Sequence, residues 1–181
     1  MPRLLEEKEE LRNTIRTLLY CRDEALFAVE IQKIVFFADI YATEKHCGRL
    51  TQTVFKPMMY GAYSDEIKKA IEDIESDDAL IRKSGMRKGQ TKKKYLYLDV
   101  PGDMPHDKYE FIEKIAIETG ELSLDELTTL SKENWLYRNP TGKGKISFND
   151  YRDALESTET DPVIGVFDQD PENPDWLYCL E

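Results

Sequence analysis

Apolar residues recur at helical spacing over two long stretches near the N-terminus. In residues 3–21, Leu4, Leu11, Ile15, Leu18 and Leu19 form one stripe with no Gly or Pro between them, which predicts an amphipathic helix. In residues 25–46, Leu26, Phe27, Val29, Ile31, Ile34, Val35, Phe37, Ile40 and Tyr41 cover more than one face. A helix apolar over most of its circumference belongs in the middle of a domain, and Gly48 is its natural stop. Thr53 to Tyr60 holds Pro57 and is read as a loop or edge strand. Ser64 caps a helix over 65–76, with Asp65 and Glu66 suited to the dipole and Ile67, Ala70, Ile71 and Ile74 turned inward.

The pattern then changes to β. ALIRK and KKYLYLDV, around the glycine-containing SGMRKGQTK, predict a hairpin over 79–100 with a long, flexible tip. In its second arm Tyr95, Tyr97 and Asp99 share one face, and Leu96, Leu98 and Val100 the other. Past the breaker cluster at 101–105, Tyr109, Ile112, Ile115 and Ala116 mark a helix over 107–119. Ser123 and Glu126 form a capping box opening a helix through about 133. NPTGKGK is a loop, and Ser147 and Asp150 open a helix over 148–156. The expected fold is α+β and mainly helical: one domain over 1–156 with a small antiparallel hairpin, followed by an acidic segment at 157–181.

Charge singles out the hairpin. The 181-residue chain carries 25 Lys and Arg against 36 Asp and Glu, a formal charge of −11. Seven of its basic residues, Arg82, Lys83, Arg87, Lys88, Lys92, Lys93 and Lys94, nevertheless crowd into residues 79–100. Net acidity argues against non-specific nucleic-acid binding by the whole molecule, though not by a local basic patch. From Asp153 to Glu181 there are nine acids and no Lys or Arg. Val163, Ile164, Val166, Phe167, Trp176, Leu177 and Tyr178 there imply that this segment docks, against the hairpin in cis or leaving the hairpin to an acidic partner in trans. Salt confines such attraction to about 8 Å, so docking is required.

Candidate chemistry is sparse. The three cysteines, Cys21, Cys47 and Cys179, make neither a disulfide framework nor a CxxC pair, and point to a reduced, cytoplasmic setting. No signal peptide and no run of about 20 apolar residues for a membrane span is present, so no membrane partner is expected. His46 beside Cys47 completes a helix end and has no local third group to activate the thiol; His106 sits in a Pro-flanked loop. Glu44, His46 and Cys47 lack metal-ligand spacing. TGKGK lacks the first glycine and the hydroxyl of a phosphate loop. No catalytic residue, metal or cofactor is therefore assigned, and the chain is not expected to be an enzyme.

The hairpin is the candidate binding element, with Tyr95 and Tyr97 alongside its Lys and Arg. In a helix–strand–helix–hairpin order it looks like the wing of a winged-helix domain. The preceding helix would then read DNA, yet it holds five acids and only Lys68 and Lys69. A solvated hairpin tip and a wing binding nucleic acid through residues 82–94 both stay open.

The stretch EIQKIVFFADIYATEKHCGRLTQTVFKPMMYGAYSDEIKKAIEDI resembles the Panacea domain, the SocA-like antitoxin family. It has the family's Lys-containing apolar helix (Lys33), then Gly48 and Leu50, then an aromatic residue leading to Tyr-Gly (Phe55 to Tyr60 and Gly61) and a helix. LTTLSKENWLYRNPTGKGKISFNDYRDAL resembles the C-terminal signature, with its Trp at Trp135. The likeness covers about residues 26–156; Ala62 stands where the family usually has Pro. It implies a mostly helical domain that neutralises a cognate toxin, or serves as an adaptor, by binding and not by chemistry.

Overall fold

The stretch with the broadest apolar circumference becomes the centre of the molecule. In the computed structural model, which describes residues 2–22, 24–45, 48–76, 80–87, 89–97 and 101–160, this is helix α2, Ala28–Glu44, after helix α1, Pro2–Cys21, and the two-residue strand β1, Leu26–Phe27. Every residue from Ile31 to Glu44 is buried. No single stripe is left for solvent because α2 is enclosed by neighbours on all sides. Those are β2, Lys56–Met58, and β3, Gly61–Tyr63; α3, Asp65–Glu75; β4, Leu80–Arg87, and β5, Gln90–Tyr97; then α4, His106–Gly120, α5, Leu124–Glu133, α6, Trp135–Arg138, and α7, Phe148–Glu156. Helices α1, α3, α4, α5 and α7 all touch α2, as do β1, β3 and β5. Among the described residues the fold is mainly helical with two small antiparallel sheets, the α+β class expected.

Local hydrogen-bond chemistry sets the helix ends. Ser64 Oγ accepts the Glu66 N–H at 3.1 Å, Ser123 Oγ accepts the Glu126 N–H at 3.2 Å, and Ser147 Oγ accepts the Asp150 N–H at 3.2 Å. Helix α2 begins three residues later than the expected span of 25–46. Leu26 and Phe27 pair with β5 instead, and Glu30 Oε2 takes the Phe27 N–H at 2.6 Å. That is half a capping box, since Phe27 has no oxygen to return the bond. Gly48 does adopt a left-handed backbone (φ 72°), but α2 has already ended at Glu44 with Lys45 as its cap.

The hairpin departs from expectation at its tip. Strands β4 and β5 stay paired from Leu80 opposite Tyr97 to Arg87 opposite Gln90, so the ladder runs through most of the stretch expected to be a flexible tip. Gly89, at φ 70°, supplies the backbone a tight turn demands. A ladder of backbone hydrogen bonds needs no apolar side chains, so polar composition concealed the pairing. Strand β1 adds to β5, Leu26 opposite Tyr95, giving the order β1–β5–β4. Helix α2, the β2–β3 pair and α3 lie between this first strand and the hairpin it joins. Strands β2 and β3 make a second, two-stranded hairpin, with Met59 and Tyr60 at its turn, where a loop or lone edge strand was expected. Residues 161–181, the acidic segment expected to dock, lie outside the described residues, as do His46, Cys47 and Lys88.

Candidate functional site: an apolar groove beside the hairpin

The first turns of α2, the β2–β3 hairpin, α3 and β5 enclose a groove of about 520 Å³. Ala28, Val29, Gln32 and Lys33 form one wall, Met58 to Tyr63 another, Lys68, Ile71 and Glu72 a third, and Tyr95 closes an end. Its lip carries three consecutive exposed apolar residues: Met59 is 73% exposed, Met58 51% and Tyr60 46%. Three consecutive large apolar residues at a hairpin turn gain nothing from water, and exposed patches of this kind mark contact surfaces. Methionine suits such a surface because its unbranched thioether adapts to varied shapes.

The wall is built with care for backbone groups. Gln32 Nε2 donates to the Ser64 carbonyl at 2.8 Å, and the Ser64 N–H donates to Gln32 Oε1 at 2.8 Å, so a side-chain amide replaces a neighbouring strand. Lys33 is 1% exposed, and its ammonium donates to the Tyr60 carbonyl. The Ala62 N–H donates to Ser131 Oγ at 3.1 Å, and the Tyr137 hydroxyl to the Met58 carbonyl at 2.9 Å. Helices α2, α5 and α6 thus each hold the β2–β3 turn by one hydrogen bond, fixing the groove's lip.

Gly61 sits between two of these anchors at φ 96°. A Cβ there would run into the Ser131 hydroxyl and would lie 2.6 Å from Lys33 Nζ. Gly61→Ala is therefore expected to lose about 1–3 kcal/mol from backbone strain, in addition to displacing the lip. Thermal unfolding beside Gly48→Ala, where φ is also positive but the space is open, separates the clash from the strain.

The residues singled out by sequence divide. Lys33, Tyr60 and Gly61 meet at the groove. Trp135 stands apart, its ring 5.9 Å from Tyr151 in the core, and reaches the groove only through Tyr137 on the same short helix. On the hairpin, Lys83, Lys92 and Lys93 are exposed. Lys93 Nζ lies 3.3 Å from Glu75 Oε1 of α3, and half-buried Lys94 lies over the Phe27 ring at 4.8 Å. Arg82, Arg87 and Tyr97 are placed by strand register alone. Tyr95 corrects the surface reading: it is buried, lining the groove that the first turns of α2 and α3 also wall, while α1 and α2 pack on β5. Sequence reasoning missed Met58, Met59, Gln32 and Ser131.

Other candidate chemistry stays dispersed. His106 is exposed, with Nε2 3.3 Å from Glu110 Oε1 one turn away. Cys21 is half-buried against Tyr109, and burial pushes its thiol up, away from the reactive thiolate. The Thr141 N–H donates to the Lys145 carbonyl at 2.8 Å, and the Gly144 N–H to the Thr141 carbonyl at 2.8 Å, so TGKGK is a closed turn. Among the described residues no three His, Cys, Asp or Glu side chains are grouped to hold a metal ion. No described helix is long and apolar enough to cross a membrane.

The family model for the antitoxin SocA-like Panacea domain matches residues 31–136. The chain belongs to that family. No curated protein and no solved structure matches it. The matched Panacea span runs from the second turn of α2 to the start of α6, so it takes in both hairpins, α3, and the lip's anchors Lys33 and Ser131, though not Tyr137. Helices α1 and α7 and the acidic segment lie outside it.

Proposed function

We propose that this Panacea protein is an antitoxin that neutralises a cognate toxin by direct binding, without chemistry on it, and that it works in the cytoplasm. The observation that carries the reading is the groove with its exposed Met58, Met59 and Tyr60, built inside the family-matched span. A partner's apolar side chain entering it replaces water against Met and Tyr, the kind of buried anchor that dominates protein interfaces. Lys83, Lys92 and Lys93, exposed on the neighbouring hairpin, attract an acidic partner surface and set the approach.

The test uses the product of a co-transcribed neighbouring reading frame as toxin. Met59→Asp, on a side chain that is mostly in solvent, leaves the fold intact and is expected to weaken binding at least about tenfold, or about 1.4 kcal/mol. Replacing Lys92, Lys93 and Lys94 together by Glu slows association most at low salt and less at high salt. Unchanged affinity for Met59→Asp by calorimetry removes the groove from the site, and unchanged affinity at low salt for the triple variant removes the hairpin.

The β1–β5–β4 order favours one competing reading, a winged-helix protein that binds nucleic acid and regulates its own expression. Against it, α3 carries Asp65, Glu66, Glu72, Asp73 and Glu75 where a reading helix needs donors, and Glu75 already engages Lys93. A gel-shift titration on the protein's own upstream DNA at about 50 mM salt separates the two, since a wing on phosphates binds most tightly there.

A further inference from the structure

We infer that the groove is also a docking site for this chain's own C-terminal segment, with Trp176, Leu177 and Leu180 seated against Met58 and Met59 in cis. The inference rests on the proposed reading of the groove as a contact surface and names its occupant when no toxin is bound. Three observations select this occupant over others. The first is composition. WLYCL, 176–180, is the densest apolar run beyond α7, and Trp and Tyr make good anchors because they bury large area at small entropic cost. The second is charge. Residues 161–181 carry six acids and no Lys or Arg, whereas Glu72 is the one acid among the described residues lining a groove that also has Lys33 and Lys68. Lys93, on the same face of β5 as Tyr95, adds a further cation on that side, held 3.3 Å from Glu75.

The third is reach. The 15 residues from 161 to 175 can span about 50 Å at 3.3–3.6 Å each. They leave from α7, which packs on α6, and α6 itself touches β2 at the groove's lip through Tyr137. A domain of this size is only about 40 Å across, as its expected radius of gyration of about 15 Å implies. Tethering supplies an effective concentration in the millimolar range, so even a weak apolar contact is populated, and a toxin must displace it. The acidic segment then tunes the antitoxin's affinity.

The test uses the full chain alone. Met59→p-benzoylphenylalanine puts a photoreactive ring at the lip, and irradiation at low micromolar protein is followed by mass spectrometry of the monomer band. The expected result is a cross-link from position 59 to the peptide holding Trp176–Leu180, lost when the same chain also carries Trp176→Ser and Leu177→Ser with unchanged circular dichroism. A monomer band lacking that cross-link overturns the inference. So does a cross-link confined to the dimer band, which makes a second copy the occupant. With toxin, the Trp176→Ser, Leu177→Ser chain is expected to bind several-fold tighter than the parent; equal or weaker binding overturns the competition. The cross-link is read without toxin, so its failure leaves the toxin reading standing, and a neutral Met59→Asp in the toxin assay leaves the cis contact standing.

Discussion

Phe37→Asp is expected to abolish folding. Phe37 is fully buried on α2 and packs at 5.9 Å between centroids against Phe36, whose ring in turn meets Phe55 at 5.1 Å and Phe148 at 6.1 Å. Removing the ring costs about 3–5 kcal/mol in lost transfer energy and cavity. A carboxylate in its place, without a partner, adds several kcal/mol more, or takes up a proton at similar expense. A domain of this size has only about 5–15 kcal/mol in total. Ile34→Asp, at a site equally enclosed, has the same outcome. The measurement is the soluble fraction on expression and the far-ultraviolet melt. Phe37→Leu is the control, folded but with a lowered Tm. A soluble Phe37→Asp protein melting where the parent melts contradicts the placement of α2 at the centre.

What could be read from sequence follows the range of the forces involved. The serine caps at 64, 123 and 147 act over two or three residues, so the helix starts they set were legible. Leu26 and Phe27 were absorbed into α2 because apolar residues serve a buried strand and a buried helix equally; only β5, some 70 residues on, decides between them. The groove was harder. Its walls come from α2, from the β2–β3 turn and from β5, and no local pattern announces that these meet. Lys33 stood out in the family motif, yet its acceptor is a backbone carbonyl 27 residues away, and a carbonyl has no residue-type signature. A usable signal was present in Met58, Met59 and Tyr60, three large apolar residues directly after Pro57, at a place where a turn should be polar. Tyr95 shows the limit of period-two alternation: it tells which residues share a face, but Tyr95 and Leu96, on opposite faces of β5, are both buried, because packing on each side is decided by distant elements.

Asp39→Ala is the second substitution with a large expected loss, about 3–5 kcal/mol, and it travels to the groove. Asp39 is fully buried on α2. Its Oδ1 accepts the Thr51 N–H at 2.8 Å, and its Oδ2 accepts the Thr51 hydroxyl at 2.7 Å and Arg49 Nη2 at 2.7 Å. Burial pushes this carboxyl up, and Arg49 and Thr51 pull it back down. Arg49 also donates to the Thr53 carbonyl and stacks 4.0 Å over the Phe148 ring. One carboxylate therefore pins residues 49–53, the segment that carries the chain from the end of α2 into the β2–β3 hairpin. Alanine leaves a guanidinium without its counter-charge and a buried N–H without an acceptor. Asp39→Asn keeps an acceptor for Thr51 but no charge, so its loss is smaller, about 1–3 kcal/mol. Removing the cation instead makes the direction with pH distinctive. In Arg49→Met the folded carboxyl lies further above its unfolded value of about 3.9. A raised acid binds its proton more tightly when folded, so its ionised form opposes folding at neutral pH, and that cost is relieved as pH falls through the folded pKa. The Tm deficit of Arg49→Met relative to the parent should accordingly shrink as pH is lowered from neutrality towards the unfolded value. A deficit that is constant or grows on acidification means that Asp39 does not depend on Arg49 for its charge. Because the pinned segment leads into the lip formed by Met58, Met59 and Tyr60, Asp39→Ala should also weaken the toxin binding proposed for the groove at temperatures where the helices persist, although Asp39 lies outside the groove itself.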